Sequence, residues 1–110
     1  MLNTFGLVDG KVLEMEPAKS HLFVYTNPDE KERAYLTSEL LIDEHTLTSS
    51  LDPEELGRIE FEANHMAAII KRPKRYSSMD NFLFKISSIG LFLFAEKLIL
   101  VISDEDLAWE

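Results

Sequence analysis

Five carboxylates crowd into two short stretches of this chain, Asp43-Glu44 and Asp52-Pro53-Glu54-Glu55, with only His45 to Leu51 between them. Oxygen donors are what a hard divalent cation such as Mg2+ takes, and that ion is usually held by one or two carboxylates while it keeps much of its water. A chain turning back between the two stretches would bring Asp43, Glu44, Asp52, Glu54 and Glu55 to one sheet edge as a weak candidate cation site. The same residues also have a local use. Asp43 and Asp52 stand where a side-chain oxygen can accept from the free N–H groups of a helical turn. Pro53 supplies a φ suited to the first helical position, and Glu54 and Glu55 fall at the positive end of that turn. Capping with a solvated acidic face, and cation binding, both use these atoms.

Other chemistry finds little support. The chain has no cysteine, which excludes disulfides, thiolate metal sites and cysteine nucleophiles. His21, His45 and His65 lack the short gaps of a zinc site and read as ordinary surface histidines. Ser49-Ser50 and Ser77-Ser78 have no glycine elbow or neighbouring base. The four glycines are scattered, so no phosphate-cradling loop can be built from them. The expectation is a protein that is not an enzyme.

The net charge of −9 over 110 residues is unevenly placed. Residues 1–56 carry 12 acidic and 4 basic side chains, while residues 57–110 carry 8 and 7. An acidic first half argues against nucleic acid, whose phosphates need Lys and Arg, and is permissive for cations. The one basic run, Lys71-Arg72-Pro73-Lys74-Arg75, reads as a solvated strand end and loop, or as a contact with an acidic surface of a neighbouring subunit. The most apolar region, residues 82–102, is interrupted by Lys85, Glu96 and Lys97, and its charge-free centre from Ile86 to Ala95 is too short to cross a bilayer. Met1 to Gly10 has no basic leader followed by an apolar run. A single soluble domain is expected over residues 1–110.

Asp9-Gly10-Lys11 between apolar runs predicts a small hairpin, followed by a strand at 21–26. Asn27 as cap, Pro28 at the first position, acidic Asp29 and Glu30, and core-facing Leu36 and Leu40 predict a helix over 28–41. A shorter helix starts from a cap at Asp43, with Leu47 and Leu51 one turn apart. From Arg58 the period changes to two: Ile59, Phe61 and Ala63 are expected on a packed side, with Arg58, Glu60 and Glu62 on a charged one. Leu51 and Phe61 are thus assigned to the core. Arg58 is assigned a structural role, its fork holding the carboxylates of Asp52, Glu54 or Glu55. Asn64-His65 turns the chain into a second strand at 66–71. Ser77 to Asn81 reads as a loop, Phe82 to Ile86 as the lead-in to strands at 89–94 and 98–103. The expected fold class is α+β, a mostly antiparallel sheet of about five or six strands with two helices packed on one face. The near-continuous apolar runs of the last strands imply burial on both faces, so something further would cover the second.

The Leu51-Asp52-x-x-Glu55 turn, Arg58-Ile59-Glu60 opening a strand, and a second strand ending at Pro73 resemble the cytoplasmic N-terminal domain of CorA-type divalent-cation transporters. The elements run in family order from the strand at 21–26 to the last strand near 103. The resemblance implies that helices following the sheet complete an α/β/α sandwich and continue toward the membrane, with Trp109 close to the start of the next element. It implies a funnel or regulatory domain on the cytoplasmic face of the cell membrane, for a transporter of Mg2+ or Co2+. Its implied partners are its own downstream membrane region and identical subunits in a pentamer, with no tightly bound cofactor. In some relatives an acidic residue on the helix before the Leu-Asp turn joins a regulatory cation site between subunits; Ser49 stands near that place here and is a poor substitute. The family's Gly-Met-Asn mark and its pore residues belong to a region outside this sequence. A stand-alone interaction or weak cation-binding module of related fold is the alternative.

Overall fold

The computed structural model describes residues 1–52, 54–74 and 85–103. Strands β1 (Leu2–Val8) and β2 (Lys11–Glu14) form the expected hairpin. Asp9 and Gly10 both take positive φ, 51° and 76°. Two left-handed residues in succession match the twist of a two-residue hairpin turn, and a glycine at the second is favoured because it has no Cβ.

After β3 (Leu22–Thr26) comes helix α1 (Glu30–Ser38), which starts two residues later than Asn27 and Pro28 suggest. Asn27 is used elsewhere: its N–H donates to the Ile102 carbonyl at 2.8 Å, and its φ is 45°. Asp29 is the cap instead. Its carboxylate accepts from the Glu32 N–H at 2.8 Å, and the Glu32 carboxylate accepts from the Asp29 N–H at 3.0 Å. This reciprocal capping box satisfies two donors that the helix cannot. Leu41, at φ 59°, turns the chain after α1 so that Ile42 enters the core. Helix α2 (Glu44–Ser50) is capped as the sequence predicts, the Thr46 N–H donating to Asp43 Oδ2 at 3.0 Å.

The remaining strands are β4 (Arg58–Phe61), β5 (Met66–Lys74), β6 (Lys85–Leu93) and β7 (Leu98–Ile102). Together they make an α+β fold with a seven-stranded sheet, order β2-β1-β3-β7-β6-β5-β4, one or two strands more than expected. Every neighbouring pair is antiparallel except β3 and β7, which run parallel from Leu22↔Leu98 to Thr26↔Ile102. β5 continues through Pro73 to Lys74 instead of stopping near Lys71. Its pairing with β4 ends at Ile69, so at Pro73 the strand has a free edge where a missing N–H costs no ladder bond. Pro53, Arg75, Ser77 to Asn81, Phe82 to Phe84 and Trp109 lie outside the described residues.

Both helices pack on one face. Leu36, Ile42 and Leu47 close over Tyr25, Ala67, Phe92, Ile99 and Val101, with Phe23, Leu40, Leu51 and Phe94 partly buried at the margin. Leu51 therefore sits at the rim of the core it was assigned to. The opposite face, carrying Leu22, Leu98, Leu100, Leu91, Leu93, Met66 and Ile70, is also apolar by register, and no helix among the described residues packs on it.

The alternation of β4 is as expected but its sides are reversed. Arg58 and Glu60 pair with Ile69 and Ala67, which face the helices, whereas Ile59 and Phe61 pair with Ala68 and Met66 on the opposite side. Phe61 is 81% exposed and Ile59 63%. Phe61 is thus not a core residue of this layer. A residue this exposed has little apolar burial to lose, so Phe61→Ala is expected to change the unfolding free energy by less than about 0.5 kcal/mol. Urea denaturation measures this, and a loss above about 2 kcal/mol, the size of a core truncation, would mean that the second face is covered in solution.

Candidate functional site

Each of the two acidic stretches is engaged locally. Asp43 is committed to its cap, with Thr46 Oγ1 as a second donor to the same oxygen at 3.2 Å, and the Thr46 N–H above all holds its carboxyl below the usual range. Glu44 is exposed at the start of α2. Asp52 folds onto its own turn, Oδ1 accepting from the Glu54 N–H at 2.9 Å, while Glu55 N–H donates to the Asp52 carbonyl at 3.2 Å. Glu54 is exposed and Glu55 half-buried. Among the described residues no group of three or more His, Asp or Glu side chains is placed to hold a metal ion.

Arg58 finds a nearer partner than the turn carboxylates. It pairs with Glu60, two residues on along the same strand face. The pair is about one-third exposed, a setting where ion pairs contribute little. The turn is anchored by Lys71 instead, a residue that reads in the sequence only as part of a basic run. Lys71 Nζ donates to the Asp52 carbonyl at 3.1 Å and to Ser88 Oγ at 2.5 Å, and Ser88 Oγ donates to the same carbonyl at 2.9 Å. A β5 ammonium and a buried β6 hydroxyl thus fix the Leu-Asp turn against the sheet. No sequence spacing signals this, because the three residues meet only through the β5–β6 register Lys71↔Ser88.

One further histidine differs from expectation, and Ser49 does not. His65 is buried rather than a surface residue, its ring stacked on Phe94 at 4.8 Å between centroids and bonded through Nδ1 to Asn64 Oδ1. Burial pushes its pKa below the ordinary histidine value. Ser49 is 2% exposed on the inner side of α2, so it does not offer a surface oxygen to a neighbour. No described helix is long and apolar enough to cross a membrane.

No family model matches this sequence, and no curated protein matches it. Solved structures do. The chain is similar to the soluble domain of CorA from Methanocaldococcus jannaschii, with a TM-score of 0.67 and 19% identity over 96% of this chain and 41% of that one. It is also similar to the complete CorA magnesium transporter from the same organism, with a TM-score of 0.66 and 15% identity over 96% of this chain and 33% of that one. This chain therefore spans less than half the length of the structures it matches, and within that span its fold is that of the CorA soluble domain.

Proposed function

We propose that this chain is the cytoplasmic domain of a CorA-like transporter that moves Mg2+ or Co2+, and that it forms part of a funnel coupling the cytosolic cation level to a pore. The observation that carries this reading is the second sheet face. It is apolar along the central strands β3, β7, β6 and β5, it has no described helix on it, and the matched structures extend well beyond the matched part. Helices that follow the sheet would cover that face, and the same helices would lead to the membrane and to identical subunits. The local capping of Asp43 and Asp52 favours a passive structural part over a self-contained cation site.

Such a funnel works only if its states differ in cation affinity, since an ion that binds both equally shifts nothing. The differential contacts then lie between subunits or with the covering helices. The expected result is a melting temperature of the purified 110-residue chain that responds to MgCl2 only at about millimolar levels or not at all, as scattered single carboxylates bind Mg2+ weakly. Micromolar, saturable stabilisation abolished by replacing Asp52 and Glu55 would instead identify a stand-alone cation-binding module.

A further inference from the structure

The sheet ends in two edge strands, β2 and β4, and no described strand pairs with the outer side of either. Natural edges are usually blunted against pairing with another chain. β4 is short, yet it carries the exposed apolar side chains of Ile59 and Phe61. Which residues face its free edge follows from the ladder. The Glu62 N–H donates to the His65 carbonyl at 2.9 Å, and that pair continues the register in which Glu60 faces Ala67 and Arg58 faces Ile69. Hydrogen-bonded pairs alternate along an antiparallel ladder. Arg58, Glu60 and Glu62 therefore turn their backbone groups toward β5, and Ile59 and Phe61 turn theirs outward.

An antiparallel partner strand must set its own outward residues opposite Ile59 and Phe61. For β4 of a second copy there are three central registers, and charge separates them. With Ile59 opposite the partner's Ile59, Arg58 stands opposite the partner's Glu60 and Glu60 opposite the partner's Arg58. On the other face each Phe61 then reaches over the partner's Gly57, which has no side chain. With Ile59 opposite the partner's Phe61, the two Glu60 carboxylates face each other. With Phe61 opposite the partner's Phe61, Glu60 faces the partner's Glu62. Opposite charges directly across a ladder stabilise it and like charges destabilise it, while an aromatic ring over an edge glycine helps to pin a register. The first register alone has both features and no facing carboxylates. Arg58 holds its own Glu60 through Nε, and a guanidinium has five N–H donors, so the same fork has donors left for a second carboxylate.

β2 has no such match. The Met15 N–H donates to the Thr4 carbonyl at 3.0 Å, which continues the β1–β2 register and turns Val12 and Glu14 outward. In an antiparallel pair with a second β2, even-numbered residues meet only even-numbered ones. Lys11 then never stands opposite Glu14.

We propose that β4 is a self-association edge: two copies of this chain pair antiparallel about a two-fold axis at Ile59, joining their sheets edge to edge with two Arg58–Glu60 ion pairs across the seam. A two-fold contact is isologous and needs a self-complementary surface, and the Arg58, Ile59, Glu60 order is one. Such a contact cannot by itself close a ring of five subunits. The pairing is therefore separate from the transport reading and stands or falls apart from it.

The test is sedimentation equilibrium of the 110-residue chain from about 10 μM to about 1 mM. The apparent mass should rise from 12.6 kDa toward twice that value, with a dissociation constant on the order of 100 μM, because a four-residue edge buries less than a standard interface. In 15N NMR spectra the amides of Gly57, Ile59 and Phe61 should shift with concentration, while those of Arg58 and Glu60, bonded to β5, move little. Arg58→Glu and Glu60→Arg should each weaken self-association by about tenfold. An equimolar mixture of the two variants should associate again, since every charge then meets its opposite across the seam. The amide pattern needs no variant, so it decides the matter should a substitution disturb the fold. A mass that stays at 12.6 kDa throughout, charge variants that associate as the parent does, or a mixture that remains monomeric would overturn the proposal. So would concentration-dependent shifts confined to β2 or to the opposite sheet face.

Discussion

Phe92→Ala is expected to destabilise the domain by about 3 to 5 kcal/mol, the usual cost of removing a fully buried aromatic ring and leaving a cavity. Phe92 has no exposed surface. It lies on β6 with Ile99 and Ala67 as its register partners, and the His65 ring approaches it with centroids 6.1 Å apart. Its register partners belong to backbone-paired strands and cannot collapse into the space without breaking ladders. A domain of this size has a total stability of about 5 to 15 kcal/mol, so the variant should show a large fall in denaturant midpoint. A cost below about 1 kcal/mol would mean that the packing of the helical layer on β6 is not as described.

Gly90→Ala is expected to cost about 1 to 3 kcal/mol, at the upper end because the added atom meets backbone-fixed neighbours. A Cβ at Gly90 would stand 2.5 Å from Ser50 Cβ and 3.0 Å from an edge carbon of Phe92. Ser50 is fully buried on α2, where its hydroxyl donates to the Leu47 carbonyl at 2.6 Å. The missing side chain at Gly90 is what lets α2 approach the sheet so closely. In a double-mutant cycle, the cost of Gly90→Ala should be smaller in a Ser50→Gly background, since much of the clash is then gone. Equal costs in both backgrounds would remove Ser50 from the explanation.

Much of the fold is legible in local chemistry. The Asp9-Gly10 turn, the Asp43 cap and the alternation from Arg58 each depend on neighbours in the chain, and each is found. What escapes is set by distant partners. Asn27 does not cap α1 because the end of β7 takes its N–H, and the parallel β3–β7 pairing has no signature in either strand alone. Alternation in β4 reveals a period but not a side: Ile59 and Phe61 are apolar, yet it is Arg58 and Glu60 that share the sheet face on which the helices pack. The acidic clusters show the limit of reading chemistry from spacing. Asp43 and Asp52 are close enough in sequence to suggest shared work, but each is engaged by N–H groups of its own turn. Lys71 joins the Leu-Asp turn to Ser88 only through tertiary register.

The face opposite the helices is apolar across four adjacent strands and has no described helix on it, and an apolar surface of that kind marks an interaction site. The proposal that following helices occupy it makes the sequence beyond this chain the direct arbiter. Reading the coding sequence downstream of Glu110 should show a long charged helical segment, then two apolar stretches long enough to cross a bilayer, the first followed by Gly-Met-Asn. A stop codon directly after Glu110, or an unrelated domain in place of the helices, would contradict the account.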